Sequence, residues 1–205
     1  IVSRYPETYE TAYQTFEKLT EIAPVYFSNG NHESRVSKVP VMQTEAFLAY
    51  ENRVRKLGVH ILNNASEEVI LHGGKFCISG LEIPLECYGK GSYEPLPEHF
   101  IRDVLWDEKQ YYVQILKPHN PMIAKEYAEW GADVSVCGHT HGGLVRIPGI
   151  GSVISPQFEL FPKYDAGEFN FGDRKVYVSK GLGTHTFHIR VFDRAEVLMI
   201  RINKM

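Results

Sequence analysis

YYVQILKPHNPMIAKEYAEWGADVSVCGHTHGG, residues 111–143, decides the fold. Tyr111 to Leu116 reads as a strand ending at Lys117-Pro118-His119-Asn120-Pro121. Met122 to Trp130 reads as a helix closed by Gly131. Ala132 to Cys137 is a second strand, ending at Gly138-His139-Thr140-His141-Gly142-Gly143. Strand, helix and strand in one short run predict a right-handed crossover between two parallel neighbours.

The same alternation continues on both sides. Upstream, Pro6 to Ala23 carries an apolar stripe at Ala12, Phe16, Leu19 and Ala23, the spacing of one helix face. Pro24 ends it, and Val25-Tyr26-Phe27 reads as a short strand running into the turn Asn29-Gly30-Asn31-His32. A second helix is expected over Thr44 to Leu57, with Gly58 after it. Val59 to Leu62, Val69 to Leu71 and Phe76 to Ile78 read as strands, Glu82 to Pro97 as a loop, and Glu98 to Trp106 as a short helix. Downstream, strands are expected at Val145 to Ile147, Val176 to Ser179, Ile189 to Phe192 and Val197 to Ile202. The class is α/β with more than one sheet, in a single domain over 1–205.

Composition excludes several functions. The 205 residues carry 22 basic and 25 acidic side chains, a net charge of −3. No basic excess exists to track extended nucleic acid. No apolar stretch approaches the ~20 residues of a membrane span. The three cysteines, Cys77, Cys87 and Cys137, make no complete disulfide framework; their odd count favours a reducing compartment and small buried or half-buried roles over the alternative of one bridge plus a free thiol.

Nine histidines are present, and three groups follow predicted strands: Asn31-His32, His119, and His139 with His141. Loops beyond the carboxyl ends of strands converge in open α/β sheets. Imidazole is a common metal ligand, and an amide oxygen can complete a shell for a divalent ion. His119 lies 20 residues before His139, the length of one helix plus one strand, so the two strand ends can be neighbours.

Those residues carry a resemblance. Asn29-Gly30-Asn31-His32-Glu33 resembles the Gly-Asn-His-Asp/Glu motif of the calcineurin-like metallophosphoesterases, and Gly138-His139-Thr140-His141 resembles their Gly-His-x-His. His119 resembles the lone metal-binding histidine between them. Tyr177 to Gly183, Ile189-Arg190 and Glu196-Val197 are similar to the end of a bacterial subgroup of single-domain phosphodiesterases, often membrane-associated. The resemblance implies a sandwich of two mixed sheets flanked by helices. It implies two divalent ions (Mn, Fe or Zn) held by Asn31, His119, His139 and His141, a bridging hydroxide nucleophile, and His32 as general acid. Glu33 is then expected to fix a ring tautomer.

Two motifs of the family are missing. No Asp-x-His occurs, and the one Gly-Asp, Gly172-Asp173, falls too late in the chain. The resemblance thus implies that the N-terminal strands are absent and that the sequence is a fragment or has that part supplied elsewhere. Intact mass and N-terminal sequencing of the native product test this; a native start at Ile1 refutes it. Asn31, His119 and His139 would be three of one ion's four ligands, and His141 one of the other's four.

The expected function is a metal-dependent phosphoester hydrolase, a phosphodiesterase acting on a small or lipid-linked substrate. The competing reading is an impaired domain serving as an interaction or scaffold module. The location is expected to be cytoplasmic or peripheral to a membrane, through a segment before Ile1. The bland alternative for each histidine is a core or surface role, and for Asn31 a turn role. His60, His72 and His99 are read as structural or solvated, His185 and His188 as structural with a possible place in the pocket wall, and Arg35 and Arg190 as solvated. The aromatic loops 88–93 and 158–171 are weighed as substrate wall against ordinary packing. The sequence names no substrate-binding residue.

Overall fold

The computed structural model describes residues 6–38, 45–89, 94–105, 113–143, 145–155, 157–183 and 190–203. Several expectations lie partly or wholly outside them: the helix start at Thr44, Trp106, Tyr111 and Tyr112, loop residues 90–93, His185, His188 and Ile189.

Three helices and two short strands form the first core. Helix α1 (Glu7–Thr20) has acidic residues in its first turn and a lysine in its last, which suits the helix dipole. It buries Tyr9, Ala12 and Phe16; Leu19 and Ala23, expected on the same stripe, are exposed. Strand β1 (Tyr26–Phe27) leads into helix α2 (Asn31–Lys38), which was expected to be only a turn. Gly30 opens α2, and the Glu33 carboxylate accepts the Gly30 N–H at 3.0 Å, the acidic half of a capping box. Helix α3 (Glu45–Lys56) buries Phe47, Tyr50 and Val54 and ends at Gly58, whose φ of +86° suits a residue without Cβ. Tyr9 stacks on Tyr50 at 5.2 Å, joining α1 to α3. Strand β2 (His60–Ile61) pairs with β1 in parallel.

A six-stranded mixed sheet forms the second core. It contains β3 (Ala65–Leu71), β4 (Gly74–Leu81), β5 (Val113–Pro118), β6 (Val134–Cys137), β9 (Gly167–Phe171) and β10 (Arg174–Val178). Their order is β3-β4-β5-β6-β10-β9. The four central strands are parallel, so their carboxyl ends share one edge. Between β5 and β6 run a 3₁₀ turn (Pro121–Ile123) and helix α5 (Ala124–Trp130), which makes the expected crossover between parallel neighbours. Leu81, Leu116, Cys137, Val176 and Val178 project from one sheet face onto Tyr127 and Ala124 of α5. Each large apolar side chain so buried is worth roughly 1.5–3 kcal/mol. Helix α4 (Phe100–Val104) packs on the same core.

A two-residue junction ties the cores together. Asn63 Oδ1 accepts the Asn29 N–H at 3.1 Å, and Asn64 Oδ1 accepts the Glu82 N–H at 2.8 Å. A Cβ on Gly80 would stand 1.9 Å from the Leu62 carbonyl oxygen, so only glycine permits this contact.

The mixed α/β class expected from sequence is what the chain adopts, with one correction at the C-terminus. Strands were expected at 189–192 and 197–202; Val191 makes only an isolated bridge to Val145, and residues 193–203 form no strand. Strand β9 already occupies the edge beside β10, and Val197 and Met199 are 80% and 94% exposed. A strand needs a partner ladder, and apolar alternation alone does not provide one. Strand β9 itself was read as an aromatic loop, although Gly172-Asp173 between two runs is a hairpin signal. Beside the main sheet, β7 (Val145–Ile147) pairs antiparallel with β8 (Gly151–Ile154). No helix among the described residues is long and apolar enough to cross a membrane.

Candidate active site

The carboxyl edge of the sheet delivers the predicted residues from three directions. β5 ends at Pro118 and hands over His119; β6 ends at Cys137 and hands over Gly138 to His141. The Gly138 N–H bonds the His119 carbonyl at 3.1 Å, locking the two loops together. The rings of His119 and His139 lie edge to face, with centroids 5.1 Å apart. From the first core, Ser28 Oγ donates to the Lys117 carbonyl at 2.7 Å and sets the β1 turn beside His119. Gly30 then lies so close to the His119 ring that a Cβ there would meet it at 2.9 Å. Asn31 and His32 follow as the first residues of α2.

Both histidines of the Gly-His-Thr-His run have left-handed backbone, φ +68° at His139 and +50° at His141. Such conformations are uncommon outside glycine and persist where surroundings over-determine them. The surroundings here are dense. Thr140 is buried and donates to the Asp165 carbonyl at 2.8 Å. Arg146 bonds the Gly142 carbonyl at 3.1 Å and the Asp165 carboxylate at 2.8 Å. Asp165 Oδ2 also accepts the Ser152 N–H at 2.7 Å. A Cβ on Gly142 would stand 2.4 Å from Asp193 Oδ1, and one on Gly143 would stand 1.7 Å from Ser152 Oγ.

Desolvation sets the protonation of the imidazoles. Burial lowers His119 from 6.5 to about 4, with the Glu33 carboxylate opposing. Burial is also the main cause lowering His141, despite its hydrogen bond to the Gly183 carbonyl. His32 is lowered by burial although part of its surface is exposed, with Glu33 opposing. All three are therefore neutral at pH 7, the form that coordinates metals. Tyr88 fills the space behind them, its ring 5.1 Å from that of His139, and burial raises its hydroxyl well above the usual range.

Comparison with known proteins identifies the family. The family profile of calcineurin-like phosphoesterases matches residues 1–143. The chain belongs to that family. Among curated relatives, it is 26% identical over 184 residues to phosphodiesterase YaeI of Escherichia coli, covering 90% of this chain and 60% of the relative. It is 28% identical over 88 residues to the uncharacterized metallophosphoesterase YkuE of Bacillus subtilis, covering 43% and 30%. It is 28% identical over 176 residues to the uncharacterized protein YpbG of the same organism, covering 80% and 59%. The chain thus spans three fifths or less of the length of these relatives. No solved structure matches it.

Calcineurin-like phosphoesterases use divalent metals as a family, and the donors here fit such an ion in type. Asn31 Oδ1 is buried with no hydrogen-bond partner among the described residues, an orphan that a cation would satisfy. The imidazoles of His119 and His141 are neutral nitrogen donors. In number they fall short: among the described residues, no group of three or more His, Cys, Asp or Glu side chains is assembled to hold a metal.

The remaining expectations sort by surroundings. His60 pairs with Glu67 at 2.7 Å and lies under Tyr26, a structural role; His72 and His99 are exposed. Arg35 is solvated as expected, but Arg190 is not: its side chain is 14% exposed, with Nη1 on Asp193 and Nη2 on carbonyls of the loop after β10. Of the aromatic loops, Tyr164, Phe169 and Phe171 pack on the sheet core, while Phe158 and Phe161 are exposed. A groove of about 330 Å³ between α4 and α5 contains none of the predicted residues. Sequence reading missed Asn120, which is buried, caps the turn before α5 at Met122 N, and accepts Tyr127 OH at 2.6 Å on its carbonyl. Its signal was Asn before Pro, a helix-start pattern. It also missed Asp165 and Asp193, which no local motif marks.

Proposed function

We propose that the chain forms part of a metal-dependent phosphoester hydrolase acting on phosphodiesters of small or lipid-linked type. The observation that carries this reading is the meeting of His119 and His139 at 5.1 Å, with Gly30 pressed on His119 and the orphaned Asn31 oxygen one residue on. Asn31, His119, His139 and His141 would hold the cations, two in the intact enzyme. A bound divalent ion (Mn, Fe or Zn) supplies charge neutralisation on the phosphoryl oxygens and a water acidic enough to attack phosphorus.

The chain's own residues do the rest. His119 offers a neutral nitrogen because burial desolvates its ring, and the His139 ring meets it edge to face. Tyr88 and the locked loops fix their ring planes, so little rearrangement accompanies binding. His32, at the start of α2, is the general acid for the leaving oxygen. It is neutral in the free protein, and an anionic phosphoester beside it raises its pKa toward the working range. The proton then leaves His32 Nδ1 or Nε2 for the alkoxide.

The lack of an assembled three-ligand group favours a second reading, a metal-poor interaction or scaffold module. Hydrolysis of a chromogenic bis-aryl phosphate with added Mn²⁺, alongside metal analysis, separates the two. The chain as it stands is assayed in parallel with the same chain joined to any native residues that precede Ile1. Turnover that falls roughly 10²–10⁴-fold in His32→Ala at unchanged metal content supports the hydrolase. No turnover from the longer, metal-loaded protein favours the scaffold.

A further inference from the structure

We infer that Arg190 is a positioning residue that sets the tautomer and orientation of His141 through the Gly183 carbonyl. The inference rests on the hydrolase reading for its purpose, though not for its geometry. Arg190 Nη2 donates to the carbonyls of Lys180, at 3.0 Å, of Gly181, at 3.2 Å, and of Gly183. Three carbonyls of one loop are thus gathered by a single nitrogen. The other arm, Nη1, bonds Asp193 Oδ2 at 3.0 Å, and the Asp193 side chain is 1% exposed. A rigid fork with charge on both sides is what a guanidinium provides and an ammonium does not.

The gathered loop touches His141 directly. His141 Nδ1 lies 3.3 Å from the Gly183 oxygen. A carbonyl only accepts, so this bond requires the proton on Nδ1 and makes Nε2 the acceptor nitrogen of the ring. The other end of the clamp grips the next residue: Asp193 Oδ1 and Lys180 Cγ pack so closely on Gly142 that any Cβ would collide with both. Lys180 is itself tied to Glu196, through Nζ at 3.1 Å and through its N–H at 2.9 Å. His141 is therefore held by its ring on one side and by its following residue on the other, both through Arg190 and Asp193.

Long-range ¹H–¹⁵N correlation of the imidazoles tests this on the chain without substrate. The expected result is a fixed Nδ1–H tautomer for His141 in the unmodified protein; a dominant Nε2–H tautomer overturns the inference. In Arg190→Ala, His141 loses its fixed tautomer. Added methylguanidinium restores it in part. A folded Arg190→Ala with an unchanged His141 pattern overturns the inference. Should that variant not fold, Arg190→Lys is read the same way, since one ammonium reaches fewer of the three carbonyls. Absent turnover with a fixed, Arg190-dependent tautomer counts against the hydrolase and leaves this inference standing.

Discussion

The imidazoles of His119 and His139 meet edge to face with their planes inclined by 64°, although they come from different strands and their loops are joined by a single backbone hydrogen bond. Gly30 completes this arrangement from a separate core. In Gly30→Ala the new methyl drives into Cε1 and Nε2 of His119. Overpacking of this kind costs about 1–3 kcal/mol. We expect a lower Tm and weakened Mn²⁺ binding together; a variant that loses stability but binds Mn²⁺ normally would show that His119 is not a ligand.

Stability should depend on pH through the same ring. His119 titrates near 4 when folded and near 6.5 when unfolded. Between those values the unfolded chain holds the extra proton, so stability is full above pH 6.5 and falls as pH drops toward 4. At roughly 1.4 kcal/mol per tenfold, the loss approaches about 3.5 kcal/mol. His32 and His141, also lowered, act in the same direction. Thermal melts of the metal-free protein across this window, compared with His119→Gln, check it: the variant's profile should be flatter, and an identical slope contradicts the assignment.

Asn31 should trade stability against binding. Its orphaned oxygen costs the metal-free protein a desolvated acceptor, worth about 1–3 kcal/mol. Asn31→Leu is expected to leave Tm unchanged or raised while Mn²⁺ binding weakens by titration calorimetry. A lowered Tm would mean that the amide has a structural partner.

Glu33 should matter through its acceptor oxygen. Glu33→Ala removes the cap on the Gly30 N–H and should cost about 1 kcal/mol. Glu33→Gln keeps an oxygen acceptor and should lose less. Equal losses in urea melts would point to charge and not to capping.

Much of this was readable from sequence where structure is local. The 111–143 run gave its crossover because strand, helix and glycine stop follow one another in the chain. Helix α2 was hidden because Gly-Asn-His-Glu looks like a turn until the carboxylate three residues on is seen to reach back to Gly30. The expected strand at 197–202 failed because its pattern says nothing about whether an edge is vacant. Arg190 passed for a solvated cation because its three carbonyl partners belong to a loop shape that no motif encodes. Asn31, His119 and His139 were recognisable as a set only through motif order, since 88 residues separate the first two.

The adjacent amides of Asn63 and Asn64 have a consequence for how the molecule comes apart. One grips the turn that carries Gly30 and Asn31; the other grips the strand exit at Glu82. Neither core can melt without tugging on the other through two neighbouring peptide units. Heating should therefore give one cooperative calorimetric transition, in which the His119–His139 contact is lost together with both cores and no half-folded survivor remains.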